Sequence, residues 1–246
     1  DPFAGGRLTQ DVADLLWYDP EVLIRAWRRL VEVAETRPER VAGPLGHDLV
    51  EVALAVLPRC AELAFLAGYH PGGVADPESA AQFFTLLADL EELLATRPEY
   101  RYDSWEQAAL TWAQDQRGHQ LLADNARRLV TVWGQVGDGY LDDYSARLWS
   151  GLVGYYRHRW SCWAALHPVA AADEPLLEER LQAVEEDFLT HGPPAPASTA
   201  DTLTVSRRLL QRYRDFFPQA VRELRTRTSG PRAVPQGAVR TASRGP

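Results

Sequence analysis

The chain has 246 residues, 46% hydrophobic, 24% charged and 10% aromatic, which is ordinary globular composition and excludes wholesale disorder and collagen- or mucin-like character. All 26 basic residues are Arg: residues 1–224 hold 21 Arg against 34 acids, a net of −13, while residues 225–246 hold five Arg and no acid. An acidic body repels phosphate backbones and so excludes nucleic acid as its partner, and no run of about 18 apolar residues exists to cross a membrane.

The first residues, DPFAGGRLTQ, show no charged-then-apolar signal pattern. The chain contains no Met, as expected of a piece cut from a longer protein with any targeting signal in the missing part. Asp19-Pro20-Glu21 supplies an N-cap, a first-turn Pro and an acid at the positive end of the helix dipole. Leu23, Trp27, Leu30 and Ala34 then share one stripe, which predicts an amphipathic helix over 20–35. Residues 48–67 are apolar on most sides and predict a central buried helix kinked by Pro58. Asp76-Pro77-Glu78 opens a further helix with Phe83, Leu86, Leu87, Leu90 and Leu94 on its stripe. Ser104 and Gln107 have the spacing of a capping box ahead of Trp105, Ala109 and Trp112.

Residues 117–132 read as helix, WGQVGDGYLDDY breaks the pattern with three glycines, and 143–166 reads as helix again. Asp173 and Pro175 start a helix to about Leu189. HGPPAPAST is a connector, and Asp201 caps a last helix through Phe216. Hairpin signals are missing, so no sheet is expected. Residues 225–246 are rich in Arg, Pro, Gly and Ser, with too few apolar side chains to bury; a solvated, disordered tail is expected, an anionic contact being the alternative. The predicted architecture is all-α: one multi-helix domain over 1–224, with about eight to nine helices packed around a buried central one, and a disordered basic tail.

Motifs for metal, nucleotide or nucleophilic chemistry are missing. Cys60 and Cys162 sit among apolar helical neighbours, as small core hydrophobes do. The histidines at 47, 70, 119, 158, 167 and 191 lack metal-ligand spacing. Gly137-Asp138-Gly139 follows a helix rather than a strand, unlike a dinucleotide loop. No catalytic residue, metal or cofactor is assigned. One region stands out, with Trp133, Tyr140, Tyr144, Trp149, Tyr155, Tyr156 and Trp160 inside 28 residues. Rings at helical spacing are ordinarily core. Trp133 and Tyr140 instead fall in the Gly-rich break, where a loop displays side chains. Beside Asp142 and Asp143 they have the makings of a sugar platform, rings covering the C–H face of a pyranose and carboxylates accepting from hydroxyls. As a hydrolytic pair Asp142 and Asp143 fail, because adjacent residues do not face each other across a bond.

Three strings in this region, DNARRLVTVWG, LDDYSARLWSGL and YYRHRW, resemble the C-terminal helical domain of the α-N-acetylglucosaminidases, family 89 of the glycoside hydrolases. LLWYDPEVLIRAWRRL, LLATRPEYRYDSW and ADTLTVSRRLLQRY extend the resemblance, in order, over about residues 8–217. Two departures stand out: Gly46-His47 replaces the family's Arg-Tyr at the entry to the second helix, where the resemblance keeps Asp48 as the cap, and the spacing from Gly151-Leu152 to Tyr155-Tyr156 is one residue short. One deletion rotates a helix by about 100°, which leaves the roles of Tyr155 and Tyr156 open.

The resemblance implies a wall of a sugar pocket rather than a complete enzyme. Members of the family cleave terminal α-linked N-acetylglucosamine with retention, using two Glu on a TIM barrel that precedes this domain; no residue of this chain matches either. The substrate-binding residues implied are Trp133, Leu141 and Tyr144. The partners implied are an N-acetylglucosamine-terminated glycan and the N-terminal barrel of the same protein, with neither nucleic acid nor membrane involved. An extracytoplasmic or lysosome-like location follows by resemblance. The alternative is a free-standing helical carbohydrate- or protein-binding module without catalytic activity.

Overall fold

The computed structural model describes residues 16–70, 73–74, 76–136, 147–166, 174–194 and 200–228. The class is all-α, with ten α-helices among the described residues. Helix α1 (Pro20–Thr36) starts as its sequence dictates, the Asp19 carboxylate accepting from Glu21 N–H at 3.0 Å. Its buried face is Ile24, Trp27, Val31 and Ala34. Leu23 and Leu30 are only half-buried, so the stripe is turned slightly from the predicted one. Trp27 is fully buried, and its indole N–H donates to Ser206 Oγ at 2.7 Å.

The predicted central helix is in fact two, α2 (Pro44–Leu54) and α3 (Leu57–Gly68). The chain breaks at Ala55-Val56, which places Pro58 in the first turn of α3. There the missing amide has no bond to lose, so the proline starts a helix rather than kinking one. Asp48 lies inside α2 and caps nothing; the N-cap is Gly43, without a side-chain bond. Helix α2 begins early because Gly46 lets it close on the preceding turn, where a Cβ would meet Val41 O at 2.0 Å. Arg97 Nη1 ties that turn down, donating to Val41 O at 3.0 Å and Gly43 O at 3.2 Å.

After α3 comes a feature the sequence did not announce, a short antiparallel hairpin of β1 (Tyr69–His70) and β2 (Gly73–Val74). It leads into α4 (Pro77–Ala95), whose Asp76 cap accepts from the amides of Glu78 and Ser79. Phe83, Leu86, Leu90, Leu93 and Leu94 carry α4 into the core. The packed pair α3–α4 is the centre of the molecule.

Helix α5 (Tyr102–Leu110) starts two residues before Ser104, with Arg101 at the N-cap, so the predicted capping box does not form. A tertiary contact sets the start instead: Tyr102 N–H donates to Ser150 O at 3.0 Å, and Ser150 N–H donates to Tyr100 O at 2.8 Å. Burial of Tyr102, 1% exposed, holds the junction in place. Helix α6 (Gln116–Leu129) follows, capped by Asp115. The predicted helix over 143–166 begins at α7 (Leu152–Leu166); residues 147–149 are irregular and Ser150 bridges to Arg101. Helix α8 (Glu174–His191) packs on α7, and α7 lies across α4.

The predicted last helix is α9 (Thr202–Tyr213), and after a break at Arg214-Asp215 comes one more that the sequence reading did not include, α10 (Phe216–Thr228). Asp201 caps α9 as expected. Helix α10 buries Phe217, Val221 and Leu224 and runs four residues beyond 224, where the tail was expected to begin. Arg225 Nη2 donates to Leu16 O at 2.5 Å and Tyr18 O at 2.8 Å, joining the two ends of the described chain. A second, smaller core of Tyr102, Val130, Leu152, Tyr155, Val184 and Phe188 sits where α5, α6, α7 and α8 meet. It supports the candidate site.

Candidate functional site

The end of α6 is anchored by buried side chains, with a half-exposed ring just beyond it. Ala126, Val130, Thr131 and Val132 are buried. Arg127 ties three helices together: Nε donates to Glu106 Oε1 on α5 at 2.7 Å, and Nη1 donates to Leu189 O and Thr190 O near the end of α8, each at 2.8 Å. Thr131 Oγ1 donates back to Arg127 O at 2.7 Å and helps close the helix. The next residue but one is Trp133, 44% exposed.

Trp133 has φ 57°, the one positive φ outside glycine among the described residues. For an L-residue that conformation costs about 1–2 kcal/mol, because Cβ crowds the following carbonyl. Such strain persists only where the surroundings impose it, and it clusters at functional sites. Trp133 N–H donates to Arg128 O at 2.7 Å. Arg128 Nη1 donates to Gly134 O at 3.0 Å, and Arg128 Nε donates to Asp124 Oδ2 at 2.8 Å. The ring is therefore presented on a fixed turn rather than a loose loop.

The other aromatics of the region divide cleanly. Tyr155 is 5% exposed and packs on Phe188 with ring centroids 4.9 Å apart. Tyr156 meets Tyr155 edge-on. Trp160 packs on Phe65 and Phe83 against the main core. Trp149 is half-buried and leans on Trp105 at 5.7 Å, whose own N–H donates to Ala126 O at 3.2 Å. These rings are packing, with Tyr155 the most buried. Leu141 and Tyr144, with Tyr140, Asp142 and Asp143, lie outside the described residues.

The connection that leads out of that segment is fixed by Glu91 on α4, which composition and spacing gave no reason to single out. Its Oε1 accepts from Ser150 Oγ at 2.7 Å and Gly151 N–H at 2.6 Å, and its Oε2 from Gly154 N–H at 2.9 Å. One carboxylate thus caps the start of α7 from another helix. Gly151 has φ 94° and Pro193 against it, so a Cβ there would meet the proline ring at 2.9 Å. Arg127 and Arg128, by contrast, stand in the sequence beside the Trp they serve; only their division of labour was invisible.

Of the two free cysteines, Cys60 is buried as expected and Cys162 is only half-buried. Burial pushes the Cys60 thiol far above its ordinary range, which leaves it inert. No three His, Cys, Asp or Glu among the described residues come together as a metal site. No described helix is long and apolar enough to cross a membrane.

The family model described as Alpha-N-acetylglucosaminidase (NAGLU) C-terminal domain matches residues 4–212. Alpha-N-acetylglucosaminidase of Homo sapiens is 26% identical over 152 residues, covering 59% of this chain and 20% of that protein. A solved family 89 glycoside hydrolase from Clostridium perfringens, in complex with PUGNAc, superposes with a TM-score of 0.64 at 25% identity. It covers 80% of this chain and 24% of that one. A second structure of a family 89 hydrolase from Clostridium perfringens, in complex with 2-acetamido-1,2-dideoxynojirmycin, is 24% identical with a TM-score of 0.61, over 77% of this chain and 23% of that one, a likeness of fold. The chain thus spans about a fifth to a quarter of the length of the relatives it matches.

Proposed function

Since the chain belongs to the family of alpha-N-acetylglucosaminidase C-terminal domains, we propose that it forms one wall of the substrate pocket in a longer glycoside hydrolase. That enzyme removes terminal α-linked N-acetylglucosamine from glycans with retention of configuration. The acid and the nucleophile come from a barrel domain preceding this one, and this chain supplies neither. The observation that carries the reading is Trp133, a half-exposed ring on an over-determined turn at a positive φ. Its face covers the apolar C–H face of the terminal sugar and keeps water from the bond being cleaved. Leu141 and Tyr144 complete the wall in this reading.

The test is an assay on an aryl α-N-acetylglucosaminide, with the 246-residue chain alone and with the longest gene product that contains it. The chain alone is expected to be inactive at every pH, since two carboxyls must face each other across the bond. The longer protein is expected to turn over, and Trp133→Ala within it to lower kcat/KM by roughly 10–200-fold, the range of a hydrophobic pocket contact. Reproducible turnover by the pure chain overturns the pocket-wall reading.

A further inference from the structure

We propose that Arg128 is the positioning residue of this wall: held by Asp124, it fixes Trp133 in the backbone conformation that turns the ring outward. The inference rests on the reading of Trp133 as a sugar-facing ring, but it concerns another residue. A bulky side chain at φ 57° relaxes unless the groups around it leave no alternative. Here the chain on both sides of Trp133 is tied to Arg128. Ahead of the ring, the Trp133 N–H donates to the Arg128 carbonyl at 2.7 Å. Beyond it, the Arg128 guanidinium donates to the Gly134 carbonyl at 3.0 Å. The second arm of the guanidinium is held one turn back by Asp124 at 2.8 Å, which prevents it from swinging away.

A planar fork with donors at fixed angles suits this task, because it engages a carboxylate on one edge and a carbonyl on another at once. Arg127, its neighbour, is more buried than Arg128 and bonds to α5 and α8. Adjacent arginines therefore serve different ends. Arg127 joins helices, and Arg128 sets the angle of one ring. In this proposal Arg128 is a positioning residue. It acts through Trp133.

The chain labelled with 5-fluorotryptophan tests this, the Trp133 fluorine resonance being assigned by its disappearance in Trp133→Phe. Arg128→Met is expected to shift and broaden that resonance and to leave the remaining seven tryptophans in place. Asp124→Asn, at a partly exposed carboxylate, is expected to do the same to a smaller degree. A Trp133 resonance unchanged in both variants overturns the proposal. Should Arg128→Met fail to fold, seen as collapse of every resonance, the Asp124→Asn spectrum decides.

In the longer enzyme, Arg128→Met is expected to lower kcat/KM about tenfold when Trp133 is present and less than about twofold in a Trp133→Ala background. Equal losses in the two backgrounds overturn the clamp. A Trp133→Ala enzyme with unchanged kinetics overturns the wall reading instead, and the fluorine signal still reports on the clamp.

Discussion

At Trp133 the requirements of backbone and side chain oppose each other. The backbone is at a φ that glycine takes freely and tryptophan does not. Trp133→Gly is therefore expected to be at least as stable as Trp133→Ala in urea unfolding of the chain, although glycine ordinarily costs stability. Were Trp133 a core residue, either truncation would cost about 3–5 kcal/mol, and a loss of that size counts against its role in the site. Asp201 shows the opposite case, a residue whose local chemistry and function in the fold agree. The Thr204 hydroxyl and amide donate to its carboxylate at 2.6 Å and 3.0 Å, holding its pKa below the ordinary value. A lowered folded-state pKa means stability present above the unfolded pKa of about 3.9 and lost as pH falls through the folded one. Asp201→Ala should thus cost about 1 kcal/mol near neutral pH. The gap to the parent should close below about pH 4, which a pH series of melting curves would reveal.

Between elements, the junctions are set by groups distant in sequence. Glu91 accepts three hydrogen bonds at the start of α7 from Ser150, Gly151 and Gly154. Removing the carboxylate leaves those donors without it in a half-buried junction, at about 1–3 kcal/mol. Glu91→Ala is expected to lower the melting temperature of the chain by several degrees, at about 2–4 °C per kcal/mol for a protein of this size. A change below one degree would mean that water replaces the carboxylate and that α7 needs no tertiary cap. The same dependence explains why Ser104 and Gln107, correctly spaced for a capping box, do not form one. The Tyr100–Ser150–Tyr102 bonds start α5 earlier, and Ser104 is already inside the helix.

On the scale of the whole molecule, the two ends of the described chain meet. Arg225 holds the carbonyls of Leu16 and Tyr18, and Phe217, Val221 and Leu224 of the same helix are buried. A chain ending at Leu224 loses the Arg225 bonds and is expected to melt several degrees early. A chain ending at Thr228 keeps them. Because residues 229–246 are mostly Arg, Pro, Gly, Ser, Thr and Ala, their removal is expected to leave the melting temperature within about two degrees. Equal losses from both truncations would show that the basic tail contributes to the fold.

The sequence by itself determined the features that depend on near neighbours. Asp19, Asp76 and Asp201 cap helices where their spacing placed them, since an N-cap needs only the next few amides. The all-α class followed from helical periodicity and missing hairpin signals, and the strings around Trp133 identified the family. Of the three site residues named from sequence, Trp133 is described, half-exposed in the turn that follows α6, while Leu141 and Tyr144 lie outside the described residues. Tertiary structure decided the late start of α7, the early start of α5, and the turn ahead of α2 that Arg97 holds. Each depends on a partner the local pattern does not contain, whether Glu91 some 60 residues from Gly151 or Tyr100 some 50 residues from Ser150. A hydrogen bond between such groups leaves no periodic trace in the chain, because its two ends are chosen by the packing of helices rather than by the residues between them.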